Sequence, residues 1–174
     1  MSEVILVNSK DEELGILDKM EAHFEGVLHR AFSVLVYNSK GEMLIQKRAA
    51  DKYHSGGLWT NACCSHQHPG ESSEVAAKRR LKEEIGLEAN PEFLYKFIYK
   101  AELDNNLTEF EYDHVLTCIT DDKPVLNPAE VEDFQYVDIK SLMLDIQQNP
   151  TNYTFWFKQI MENLQSKMTL EVES

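Results

Sequence analysis

Apolar and β-branched residues gather into short runs that read as strands: VILV (Val4 to Val7), FSVLVY (Phe32 to Tyr37) and EMLIQK (Glu42 to Lys47). NSKG (Asn38 to Gly41) has the composition of a tight turn, so the last two runs are expected to form a hairpin. FLYKFIYKA (Phe93 to Ala101), EFEYDHVLTCIT (Glu109 to Thr120) and DFQYVDI (Asp133 to Ile139) continue the set, the middle one alternating strongly between apolar and polar positions. The period changes in SSEVAAKRRLKEEIGL. There Ser72 or Ser73 can cap a helix that ends at Gly86, with Ala77, Leu81 and Ile85 on its buried face. Helical spacing returns over Asp138 to Gln148 and Tyr153 to Met168, and the acidic end from Thr169 is expected to fray. Strands and helices do not strictly alternate, which predicts an α/β domain. Residues 1–174 contain no internal repeat, no Pro/Gly/Ser linker and no low-complexity tract, so one domain is the simplest organisation.

Composition narrows the function classes. A chain of 174 residues that is 43% hydrophobic can bury a core of its own. Its formal net charge of -13 argues against nucleic acid or an anionic membrane as a partner, since both are held mainly by Lys and Arg. Any anionic ligand must therefore be met by local positive charge. No run approaches the ~20 apolar residues a membrane span needs, and a soluble, cytoplasmic protein is expected. Cys63, Cys64 and Cys118 are an odd number without a secretory signal, which disfavours a disulfide framework. A bridge between the adjacent Cys63 and Cys64 would need unusual backbone geometry.

Chemistry concentrates around TNACCSHQHPGE (Thr60 to Glu71). Glu71 stands at the entry of a helix carrying Arg79, Arg80, Glu83 and Glu84, and spacing of four puts Arg80 and Glu84 on one face. Such a charge run is usually a solvated face with internal ion pairs. Clustered carboxylates there can also hold Mg²⁺, which prefers oxygen ligands and phosphate. His66 and His68, His23 and His29, and Glu109 and Glu111 form close pairs in the sequence, and period two sends both glutamates to one strand face. Three imidazoles and two carboxylates suit a divalent transition ion in a five- or six-coordinate shell, whereas a structural zinc knuckle more often recruits thiolates; each histidine alone can be an ordinary side chain. Cys64 is either a small buried hydrophobe or an accessible thiol with a tuned pKa. The residues alone point to a metal-dependent α/β enzyme acting on an anionic substrate.

Glu71 followed by Arg79, Leu81, Glu83, Glu84, Gly86 and Leu87 resembles the Nudix box, a loop-helix-loop whose glutamates bind Mg²⁺ on a diphosphate. Two positions depart from the hydrolase version: Ser65 replaces its opening glycine, and Arg80 replaces the glutamate after its arginine. The rest of the chain is similar to the type I isopentenyl-diphosphate delta-isomerase branch of that superfamily. LDKMEAH (Leu17 to His23), LHRAFSV (Leu28 to Val34), KRAADK (Lys47 to Lys52), LWTNACCSH (Leu58 to His66), Glu109-Phe110-Glu111 and Trp156 carry this resemblance over nearly the whole chain.

The resemblance implies a Nudix fold, a mixed β-sheet sandwiched between α-helices, and interconversion of isopentenyl diphosphate and dimethylallyl diphosphate in isoprenoid biosynthesis. It implies metal ligands at His23, His29, His66, Glu109 and Glu111, holding Zn²⁺, Mn²⁺ or Mg²⁺, with His68 as the second choice to His66. Glu84 is implied to help place Mg²⁺ on the diphosphate, which Lys19, Arg48, Lys52 and Arg80 would contact. Cys64 and Glu111 are the implied catalytic pair, Tyr99 their helper, and Trp156 the aromatic over the hydrocarbon end. Glu111 with Tyr99 is expected to protonate the alkene and Cys64 to remove the second proton, the roles reversing in the back reaction. A Nudix diphosphate hydrolase and an inactive Nudix-like binding module are the competing readings. Ser65 and Arg80 disfavour the first, and the filled catalytic positions disfavour the second.

Overall fold

The protein, as a computed structural model, is described for the backbone of residues 2–173 and the side chains of residues 2–166. The chain runs β1 (Glu3–Val7), β2 (Glu13–Asp18), α1 (Lys19–Glu25), β3 (His29–Tyr37), β4 (Met43–Arg48), β5 (Trp59–Asn61), β6 (Cys63–Ser65) and α2 (Ser73–Ile85). It continues with β7 (Glu92–Glu102), β8 (Thr108–Ile119), β9 (Val131–Val137), α3 (Ile139–Gln148) and α4 (Phe155–Glu173). The strands form one mixed sheet. β3 pairs in parallel with β8 from His29↔Glu111 to Tyr37↔Ile119, while β7 lies antiparallel on the far side of β8.

The expected hairpin is barely one. β3 and β4 meet only at Tyr37↔Met43, beside the turn that Gly41 closes with φ 78. Beyond it the strands splay and recruit other partners: β4 takes β5 and β9, and β3 takes β6 and β8. The Thr60 to Ser65 segment crosses this gap, pairing first with β4 and then with β3. Its unpaired backbone is satisfied by buried amides: Gln46 Nε2 donates to the Ala62 carbonyl at 2.7 Å, and Asn61 Nδ2 donates to the Val34 and Cys63 carbonyls at 3.1 and 2.7 Å. Side chains that alternate across β6 therefore reach opposite faces, Cys63 one core and Cys64 the other.

Two cores follow from the same alternation. Val34, Val36, Leu44 and Leu116 pack against Ala77, Leu81 and Ile85 of α2, the face the sequence predicts. Leu35, Met43, Ile45 and Val115 pack against Leu142 of α3 and Phe157 and Ile160 of α4. Full burial of Leu81 or Ile85 stabilises the fold by roughly 2 kcal/mol each. Ser72 caps α2, accepting from Val75 N at 3.2 Å, and Gly86 ends it at φ 64. A Cβ at Gly86 would lie 2.8 Å from Val125 Cβ, so only glycine fits both the conformation and the space.

Other boundaries differ from expectation. β9 stops at Val137 rather than Ile139 because Asp138 caps α3, its Oδ2 accepting from Ser141 N at 3.0 Å. Tyr153 bridges to Trp59 and stays extended, so α4 begins at Phe155. That helix continues to Glu173, and the side chains from Thr169 onward, where fraying is expected, lie outside the described residues. β2, α1, β5 and β6 are additions to the sequence reading. α1 has 7 residues, too few to show a period; Asp18 caps it and Gly26 closes it. Among the described residues no helix is long and apolar enough to cross a membrane.

Candidate active site

β8 sends Glu109, Glu111 and Asp113 to the same face as Val115, at the end of the sheet where α1 and the Thr60 to Ser65 segment converge. His29 lies beside Glu111 across the parallel pair, and His29 Nε2 is 3.6 Å from Glu111 Oε2. His66, just past β6, brings Nε2 to 3.2 Å from the same oxygen. His23 comes from α1, with Nε2 3.9 Å from Glu109 Oε1. One ligand atom from each of His23, His29, His66 and Glu111 lies within 4.8 Å of the others. His68 also lines the cleft, 3.9 Å from Glu71 and largely exposed, but does not join the cluster. His66 is therefore the member of the sequence pair that joins the cluster.

The imidazoles are oriented from behind. His23 Nδ1 is 2.7 Å from the Lys19 carbonyl and His29 Nδ1 is 2.8 Å from the Val27 carbonyl, so each Nδ1 donates and each Nε2 presents a lone pair. Both Nε2 atoms are buried without a hydrogen bond. Lone pairs aimed at carboxylates are repulsive unless a cation stands between them, and that orphaned set fits a divalent ion. Burial pulls His29 down to about 4, and burial followed by the neighbouring His29 and His23 pulls His66 well below the usual imidazole range. Both shifts favour the neutral ring, the form that binds a metal.

Glu109 and Glu111 titrate as a pair. Burial, then the adjacent Glu109 and Asp113, holds Glu111 well above the carboxylate range. Tyr99, opposite Glu111 on β7, places its hydroxyl 2.9 Å from Glu109 Oε2 and 2.8 Å from Glu111 Oε1. One phenolic proton cannot serve both, so the second short contact is satisfied when Glu111 carries a proton. Tyr99 is thus hydrogen-bonded to the acid it was expected to assist.

Cys64 lines the same cleft from β6. Burial pushes its thiol up to about 12 against Arg48, whose Nη1 is 3.9 Å from the sulfur. Arg48 also lies over Trp156, 5.2 Å from the ring, which lines the cleft. Lys19, Lys52 and Arg80 line the same cleft. Burial, then the neighbouring Lys52, lowers the pKa of Lys19, with Glu130 opposing the shift and Arg80 and Arg48 adding to it. Glu84 also lines the cleft, 3.3 Å from Arg80, and accepts from the Cys63 thiol at 2.7 Å. All the residues proposed from sequence for substrate, metal and proton transfer adjoin one cleft or the cluster at its floor.

Glu71 does not fit the sequence suggestion that it helps hold Mg²⁺. Arg79 grips both its oxygens at 2.9 Å and the His68 backbone N–H adds a bond at 2.8 Å. It fixes the loop before α2 instead. Three further cleft residues escaped the sequence reading. Glu130 pairs with Lys52 at 2.5 Å and with Arg80 at 3.5 Å. Asp113, pushed up to about 8 by burial, accepts from Ser33 Oγ at 2.8 and 3.1 Å. His54 places Nε2 3.0 Å from Glu109 Oε1. Only Asp113 carried a signal, the continued alternation after Glu109 and Glu111.

The NUDIX domain model matches residues 27–159. "Isopentenyl-diphosphate Delta-isomerase 2" of Photorhabdus laumondii is 47% identical over 161 residues, covering 92% of this chain and 91% of that protein. "Isopentenyl-diphosphate Delta-isomerase 2" of Aromatoleum aromaticum is 43% identical over 168 residues, covering 97% of this chain and 89% of that protein. Among solved structures, DR0079 from Deinococcus radiodurans superposes with a TM-score of 0.74 at 20% identity, covering 93% of this chain and 98% of the other. That likeness speaks for the fold.

Proposed function

The chain belongs to the NUDIX domain family and, within it, to the isopentenyl-diphosphate Delta-isomerases, and from that premise we propose that its cleft interconverts isopentenyl and dimethylallyl diphosphate by paired proton transfers. The observation that carries the reading is the placement of buried Glu111, 2.8 Å from the Tyr99 hydroxyl, in one cleft with the Cys64 thiol.

Moving the double bond requires a proton added to the terminal alkene carbon and another removed two carbons away, through a tertiary cation. An unactivated alkene is a very weak base, so the acid must be strong and the pocket dry. Glu111, relayed or held by Tyr99, supplies the proton. Cys64 takes the second one as a thiolate, which leaves Glu111 ionised and Cys64 protonated until proton exchange with solvent restores the starting pair; Arg48 beside the sulfur favours the thiolate against the burial that opposes it. Trp156 offers its ring face to the cation, an interaction worth roughly 2 kcal/mol when desolvated.

Lys19, Arg48, Lys52 and Arg80 hold the diphosphate, which answers how a chain of net charge -13 binds an anion. Glu84, 3.3 Å from Arg80, would hold Mg²⁺ beside these cations, and the ion would neutralise part of the diphosphate's charge. His23, His29, His66, Glu109 and Glu111 would hold a divalent ion, Zn²⁺, Mn²⁺ or Mg²⁺, whose charge stabilises the two buried carboxylates and strengthens the acidity of groups beside it. A soluble, cytoplasmic setting suits a small charged substrate.

Incubation with isopentenyl diphosphate and Mg²⁺ tests the reading, with dimethylallyl diphosphate as the expected product. Release of phosphate instead would support a hydrolase, and binding without turnover would support an inactive module.

A further inference from the structure

His54 belongs to none of the sequence pieces from which the site was read. It lies between β4 and β5, and its ring is 1% exposed. Its ring and carbonyl are engaged at every polar atom but one. Nδ1 is 3.1 Å from Ser55 Oγ, the backbone carbonyl accepts from Arg48 Nη2 at 3.1 Å, and the ring sits edge-on to Trp156 and Tyr53 at 5.7 and 4.3 Å. The exception is Nε2, buried without a hydrogen bond although only 3.0 Å from Glu109 Oε1. At that distance a well-aimed N–H would bond, so the approach is close but misdirected for donation.

His23 Nε2 and His29 Nε2 are in the same condition. A buried nitrogen left unpaired is destabilising, and three of them face one pair of carboxylates. His23, His54 and Glu109 each offer an atom within 4.8 Å of the others, a trio that shares His23 with the larger cluster. A single lone pair on His23 cannot serve two ions, so the trio and the larger cluster address the same one. We infer that His54, through Nε2, is a further ligand to the divalent ion at the His/Glu cluster, making a fourth imidazole with His23, His29 and His66. This rests on reading that cluster as a metal site. Its consequence is a nitrogen-rich shell that favours a transition ion over Mg²⁺, which prefers oxygen.

Metal-free protein is titrated with Co²⁺, following both affinity and the visible d–d spectrum, for wild type, His54→Ala, His54→Asn and His29→Ala. Asparagine keeps an N–H to offer Glu109 but has no imidazole lone pair. Both His54 variants are expected to bind one ion per chain at least about 10-fold more weakly, with a spectrum altered from wild type. Wild-type affinity and spectrum in either variant would overturn the inference, as would a second ion per wild-type chain that His54→Ala loses. Unimpaired binding in His29→Ala would instead overturn the metal site itself. Pulsed EPR of Mn²⁺-loaded wild-type protein needs no variant: a fourth coordinated imidazole nitrogen is expected, and three would overturn the assignment.

Discussion

Cys64 and Glu111 stand on opposite edges of one strand: β3 pairs through Ser33 with Cys64 on β6 and through His29 with Glu111 on β8. Both side chains line the cleft above that strand. A five-carbon chain lying across β3 would have a proton donor on one flank and a proton acceptor on the other. The splaying of β3 from β4 makes this possible, because it admits the segment that carries Cys64.

The divalent ion is predicted to be indispensable. His29 has one nitrogen tied to Val27 and the other bare and buried. His29→Ala should lose bound metal together with activity, measured by elemental analysis and product formation. Full turnover by chelator-treated wild-type protein would contradict this.

Arg80→Glu should damage the enzyme more than the loss of one cation would. Arg80 faces Glu83, Glu84 and Glu130 at 2.7, 3.3 and 3.5 Å, so a fourth carboxylate there repels all three as well as the diphosphate. KM for isopentenyl diphosphate should rise by at least about 10-fold, equivalent to ~1.4 kcal/mol. An unchanged KM and kcat would show that Arg80 does not meet the substrate.

Glu130 occupies Lys52 and Arg80 in the free protein. Glu130→Gln removes the competing charge, and KM is predicted to fall by a few-fold, about 0.5–1 kcal/mol for a partly exposed pair. A raised KM would mean that Glu130 positions the cations rather than competing for them.

The Glu71 and Arg79 pair should matter to stability and not to chemistry. The Arg79 hydrogen bonds are the main reason the Glu71 carboxyl is held below its usual range. Because the folded-state pKa is the lower one, the contribution is full above the unfolded value, near 4.5, and is lost as pH falls through the folded value. Arg79→Ala should destabilise the protein by about 1 kcal/mol at pH 7, allowing for solvent screening, and the difference from wild type should shrink in acid. Thermal unfolding across pH 3–7 measures it, and a difference independent of pH would count against the pair.

Much of this was legible in the sequence, and the reasons are local. The α2 face, its Ser72 cap and its Gly86 stop depend on short-range chemistry and were found where expected. Period two put Glu109 and Glu111 on one face. The hairpin failed because turn chemistry at Asn38 to Gly41 says nothing about whether β3 and β4 stay paired beyond it. His54 was invisible because it approaches Glu109 from a loop 55 positions earlier, without a period or capping pattern. Glu71 looked like a metal ligand for the opposite reason: its motif was visible, but its partner Arg79 was read as part of the same motif.

The proton transfers themselves provide the most direct test. Wild-type protein and Cys64→Ala are incubated with isopentenyl diphosphate and the divalent ion in D₂O, and the product is followed by NMR. Wild type should give dimethylallyl diphosphate carrying deuterium in the new methyl group, because the added proton comes from an exchangeable carboxyl. Cys64→Ala should bind metal and substrate about normally while turnover falls by at least ~10²-fold, as expected for a positioned acid-base group. Near-normal turnover in Cys64→Ala, or a wild-type product without solvent label, would contradict the transfer of protons between the two edges of β3.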